Sequence, residues 1–134
     1  MFDTVIKNGK IIDGTGNPWI SADVGIANGK IAAIGPIQAD QGLMIIDARN
    51  KFVCPGFIDG HSHSDLFILA EPEARQKVMQ GITTENVGMD GMSVAPIRAK
   101  DISGWKKHLA GLAGDPKVNW NWESFADYLD AVDA

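Results

Sequence analysis

The chain has 134 residues, 45% hydrophobic and 22% charged, with a formal net charge of −5. That composition suits one soluble domain with a real core, and an acidic balance without any Lys/Arg-rich run argues against nucleic acid or an anionic membrane as partner. No apolar run reaches transmembrane length, no secretory pattern opens the chain, and the single cysteine, Cys54, excludes an internal disulfide, so cytoplasm is the expected compartment.

The first fifty residues read as strands and turns. Val5–Ile12 and Val24–Ile31 each place Asn-Gly (Asn8-Gly9 and Asn28-Gly29) between apolar runs. Asn and Gly both tolerate positive φ, so each segment is expected to be a β-hairpin. Pro18 and Trp19 fall in the connecting loop. A third strand, Leu43–Asp47, leads on to Phe52-Val53. Together these form a small β-rich module, one side of a sandwich. Asp13 and Asp47 are read as turn-stabilising groups rather than catalytic ones.

After Pro55 the pattern changes. Val53 to His63 reads as a short apolar strand that stops at two histidines one residue apart. In an extended chain residues i and i+2 share a side, so His61 and His63 can aim both imidazoles at one ion. An isolated pair of this kind is commonly just two surface histidines. Here two of only three histidines in the chain end a buried-looking strand, which favours the metal reading. Pro72–Gln80 is expected to be a helix, with proline near its start and Gly81 past its end. Val78 and Met79 would face a core, and Glu73, Arg75 and Lys77 would face water. Ile82–Val87 is strand-like and runs into Gly88–Ser93. Strand, helix, strand suggests a parallel βαβ unit. Then come a helix near Trp105–Leu112, with His108 as a surface histidine, and a final amphipathic helix with Trp122, Phe125, Leu129 and Val132 on one stripe.

Parallel α/β folds build sites at the carboxyl ends of their strands. His61 and His63 end the first strand of this region. Asp90, between glycines, follows the second, as a third ligand or a plain turn residue. Asp65 could orient a ligand or cap a helix. Met89 and Met92 could line a pocket or the core.

The segments "NGKIIDGTG", "PGFIDGHSHSD", "QGITTENVGMDGMSVAPI" and "ESFADYLDAVDA", in this order, resemble the amidohydrolase superfamily, specifically its N-acyl-D-amino-acid deacylase (D-aminoacylase) branch. The resemblance covers nearly the whole chain. It implies an α/β fold in which a β-sandwich half, residues 1–54, precedes the first two strand–helix units of a (β/α)8 metal-dependent hydrolase barrel, residues 55–134. That barrel is incomplete, because a whole one takes about 250 residues. The resemblance also implies hydrolysis of a small-molecule N-acylated D-amino acid or related amide, with one or two zinc ions or another divalent metal as cofactor.

On this resemblance His61 and His63 match the family's HxH metal ligands. Asp90 falls where these relatives carry cysteine, and the asparagine that normally precedes that cysteine is missing. A harder oxygen donor changes metal preference and points to a branch member with a different substrate. The family's later histidine ligands and its general acid/base aspartate lie on strands beyond these 134 residues, so no catalytic residue is assigned in this chain and the isolated chain is expected to be inactive. With an open sheet edge the chain alone is expected to be marginally stable and to self-associate, and a complementary chain carrying the rest of the barrel would complete it. A non-catalytic truncated fragment is the alternative of a different class. Another is a cyclic-amide hydrolase of the dihydropyrimidinase type, which shares the PGFIDxHxH opening.

Overall fold

A computed structural model describes residues 1–134. The chain divides into two compact units, Met1–Pro55 and Gly56–Ala134.

The first unit is a five-stranded sheet: β1 (Phe2–Ile11), β2 (Ile20–Ala27), β3 (Lys30–Gly35), β4 (Gly42–Asp47) and β5 (Phe52–Val53). Its main order is β3-β2-β1-β4, with β5 beside the end of β1. β1–β2 and β2–β3 run antiparallel, whereas β1–β4 and β1–β5 run parallel. Val5, Ile11, Val24, Ile37 and Ala48 are its buried apolar residues. Asn28-Gly29 forms the expected hairpin turn between β2 and β3.

Asn8-Gly9 does not form a turn. β1 continues through it, and the register steps from Ile6↔Val24 to Gly9↔Ala22, so Lys7 and Asn8 together oppose Asp23. This is a β-bulge, and Asn8 supplies its positive φ of 63°. Asn-Gly serves a bulge as readily as a turn; the long partner β2 decides between them. Asp23 closes the bulge, accepting from Lys7 Nζ at 2.8 Å, Asn8 N–H at 2.8 Å and Ile37 N–H at 3.0 Å. Asp13 and Asp47 stabilise turns, accepting the backbone N–H groups of Thr15 and Arg49.

The second unit holds two parallel strands, β6 (Phe57–Asp59) and β7 (Ile82–Glu85), and helices α1 (Phe67–Ala70), α2 (Arg75–Val78), α3 (Ile102–Ala113) and α4 (Phe125–Asp133). Its core gathers Leu66, Val94, Ala95, Leu109, Trp122 and Tyr128, with Met92 packed against it. The Trp122 indole donates to the Val94 carbonyl at 2.9 Å, satisfying its buried N–H.

Three expectations are corrected here. The helix expected over Pro72–Gln80 shrinks to Arg75–Val78, because Ala74 sits at a left-handed φ of 40°. Glu73 and Arg75 are exposed as expected, but Val78 and Met79 are 57% and 85% exposed and the Lys77 side chain only 19%. In the last helix, Trp122 lies before the helix start and is buried, while Phe125, Leu129 and Val132 are exposed and Tyr128 turns inward. A capping box at Ser124 and Asp127 sets that start.

Candidate metal centre

β6 and β7 are neighbours because their short β-branched and apolar stretches pair in parallel, with Asp59 and Glu85, their last residues, as register partners. Beyond them Asn86 N–H donates to the Asp59 carbonyl and Ser62 N–H to the Asn86 carbonyl, both at 2.9 Å. A regular parallel ladder would use residue 61 as the second donor. One extra residue is therefore inserted where the histidines begin, and a bulge of this kind re-aims side chains. His61 and His63 thus stand on an irregular segment just past the strand rather than on it.

The structure brings His61, His63 and Asp90 together. One ligand atom from each lies within 4.8 Å of the others. Asp90 Oδ2 is 3.0 Å from His61 Nε2 and 3.4 Å from His63 Nε2. Asp90 reaches this point from a 3₁₀ turn, Met89–Gly91, at a left-handed φ of 57° that aspartate tolerates better than most residues. His61 and Asp90 are about half exposed, and His63 is 19% exposed. The shorter contact is a direct His61–Asp90 hydrogen bond. Donors held about 2.0–2.1 Å from a tetrahedral ion stand about 3.3 Å apart, so a small adjustment would let the three residues share a cation, and the N, N, O donor set suits zinc.

Asp65 is buried, and burial pushes its carboxyl above the ordinary range against the Gly88 N–H that it accepts. It caps no helix: the N-cap position of α1 is Leu66, and no side chain caps that end. His108 is exposed and stacks on Trp105 with ring centroids 4.9 Å apart.

A second cluster, not legible from the sequence, lies at the same strand ends. Lys77 Nζ lies 2.7 Å from Asp59 Oδ2 and 3.4 Å from Glu85 Oε1. It also donates to Ser62 Oγ at 3.2 Å, and Ser62 Oγ donates to Glu85 Oε2 at 2.8 Å. The Lys77 hydrogen bond, then that of the His61 N–H, hold the Asp59 carboxyl below its usual range. Asp59 in turn raises the Lys77 ammonium against its partial burial. The signal was present as carboxylates at two strand ends, but a lysine on a short helix reads as solvated. An open depression of about 440 Å³ borders His61 and His63, with Phe67, Gln76 and Leu112 on its other walls.

Residues 44–134 match a family model described as Amidohydrolase family. The chain is 47% identical over 132 residues to the N-acyl-D-glutamate deacylase of Alcaligenes xylosoxydans xylosoxydans, covering 98% of this chain and 26% of that protein. It is similar to the crystal structure of D-aminoacylase, with a TM-score of 0.79 and 35% identity over 98% of this chain and 27% of that one. It is also similar to N-acyl-D-glutamate deacylase from Bordetella bronchiseptica, solved with zinc and a phosphonate mimic of the reaction's tetrahedral intermediate. That comparison gives a TM-score of 0.70 and 38% identity over 88% of this chain and 28% of that one. The chain spans about a quarter of the length of the curated relatives it matches. With the family model running from within β4 of the first unit through both histidines and Asp90 to the final helix, the chain belongs to the amidohydrolase family.

Proposed function

We propose that this chain is the N-terminal part of a metal-dependent hydrolase that cleaves the amide of an N-acylated D-amino acid. The observation that carries the reading is the convergence of His61, His63 and Asp90 at the carboxyl ends of two paired parallel strands. His61 and His63 would hold a zinc or similar divalent ion through neutral imidazoles, and Asp90 would add a negatively charged oxygen. When bound, such an ion supplies Lewis acidity, polarising the scissile carbonyl and making water a better nucleophile.

This chain's residues bind and orient. The bulge after β6 aims the two imidazoles, and the glycines around Asp90 let the backbone bend toward them. On this reading residues 1–54 are half of a composite sandwich, and residues 55–134 open the barrel. The exposure of Leu43, Met44, Ile45 and Ile46 supports the first assignment, and the parallel β6–β7 pair supports the second. The general acid/base and further ligands would come from the rest of a longer protein, or from a complementary chain.

The test is metal content of the purified chain and of its His61→Ala/His63→Ala double variant, with both assayed on N-acetyl-D-amino acids. Zinc in the wild type, lost in the variant, with no turnover by either, is the expected result. No zinc in the wild type, or equal zinc in both, would overturn the metal assignment. Turnover by the 134-residue chain alone would overturn the incomplete-barrel reading.

A further inference from the structure

We propose that Lys77 is a positioning residue for the candidate centre: its ammonium draws together the carboxylates that end β6 and β7 and, through Asp59 and Ser62, sets the aim of His61 and His63. This rests on the reading that His61, His63 and Asp90 hold a divalent ion.

The need for such a residue follows from the strands. Asp59 and Glu85 are direct register partners, and their side chains are only 25% and 16% exposed. Two carboxylates side by side at a half-buried strand end repel each other and push the strands apart. Lys77 Nζ stands between them, 2.7 Å from one and 3.4 Å from the other.

From this ion pair two links run to the histidines. The second oxygen of Asp59, Oδ1, accepts the His61 backbone N–H at 3.2 Å. Ser62, the buried residue between the histidines, meets both Lys77 Nζ and Glu85 Oε2 through its hydroxyl. These links matter because the segment is bulged. A regular ladder would fix its orientation by backbone bonds alone, whereas here the Ser62–Asn86 bond follows an extra residue. Side-chain ties supply the missing restraint, as outer hydrogen-bond partners do for metal ligands generally. The expectation that Lys77 is a solvated surface lysine has no room in this geometry.

The experiment uses the full chain with Lys77→Met and Lys77→Arg, zinc affinity by competition with a chromophoric chelator, and amide hydrogen exchange in the metal-free state. Far-UV circular dichroism checks that each variant is folded. Lys77→Met is expected to weaken zinc binding roughly 10–100-fold, with Lys77→Arg staying within about threefold of wild type. In the metal-free chain Lys77→Met should also speed exchange at the His61 and Ser62 amides about tenfold or more while leaving α3 unchanged. Wild-type affinity and exchange in Lys77→Met, or an equal loss in both variants, would overturn the proposal.

Should Lys77→Met fail to fold, Ser62→Ala reads the same linkage without unpairing a charge. A loss of about threefold or more supports the tether and wild-type affinity overturns it. The two readings fail separately. A wild-type chain that binds no zinc ends the metal assignment, while metal-free exchange still decides whether Lys77 orders the histidine segment.

Discussion

The phenolic hydroxyl of Tyr128 donates a 2.9 Å hydrogen bond to the backbone carbonyl of Asp65, 63 residues earlier in the chain. The last helix is thereby tied to the segment that carries the two histidines. Burial, and then the nearby Asp65 charge, push this phenol up to about 12.

Tyr128 is the chain's single tyrosine, so an absorbance titration reads it directly. Its midpoint should lie near 12 in the folded protein, against about 10 for a free tyrosine. The folded value is raised, so the stability contributed by the neutral phenol is complete below about pH 10 and is lost as pH rises through about 12. Tyr128→Phe should cost about 1–2 kcal/mol in urea denaturation by leaving a buried carbonyl without its donor, and should remove this alkaline slope. A midpoint near 10 in the folded chain would mean that the hydroxyl is wet.

Gly56 lies beneath Thr83, the residue that the β6–β7 register skips between Ile82 and Thr84. A Cβ at position 56 would come 2.0 Å from Thr83 Oγ1 and 2.4 Å from its Cγ2. Gly56→Ala should therefore destabilise the second unit by about 1–3 kcal/mol, with Thr83→Gly restoring much of the loss. Denaturation curves for the single and double variants check this, and an unaffected Gly56→Ala curve would rule out the close approach.

The Asp23 carboxyl closes the β1 bulge. Burial raises it, but the Lys7 ammonium and the N–H groups of Asn8 and Ile37 outweigh that and hold it below its ordinary value. A depressed folded pKa means that its stabilisation is present above the unfolded value of about 3.9 and is lost as pH falls through the folded one. Amide exchange in β1 and β2 should thus accelerate on acidification below about pH 4. Asp23→Asn should show faster exchange at neutral pH, by about 1–3 kcal/mol, and a flatter acid response.

Asp90 tests the donor chemistry of the proposed centre. Asp90→Asn keeps the shape and the tolerance of left-handed φ but removes the charge, and should weaken zinc binding about tenfold or more. Asp90→Cys should restore tight binding, since a thiolate is a preferred zinc ligand. A zinc titration of the three proteins decides this, and equal affinity in Asp90→Asn would remove Asp90 from the ligand set.

Local features are legible in the chain alone. The Asn28-Gly29 turn between apolar runs needs only its neighbours to form. The donor types of the centre, two histidines one residue apart and an aspartate beside glycines after the next strand, are visible in the chain, although the bulge after β6 sets where the imidazoles point. Tertiary structure decided every feature that depended on a distant partner. Asn8-Gly9 carries the same turn chemistry as Asn28-Gly29, yet a long β2 turned it into a bulge closed by Asp23. Lys77 looked solvated until two strand ends placed Asp59 and Glu85 beside it. The final helix is amphipathic in sequence, but the core around Trp122 and the Asp65 carbonyl take up Tyr128 rather than Phe125, Leu129 and Val132 as its buried contact. Periodicity states that a helix has an apolar face; which side chain leaves water depends on the surface that the rest of the chain brings to it.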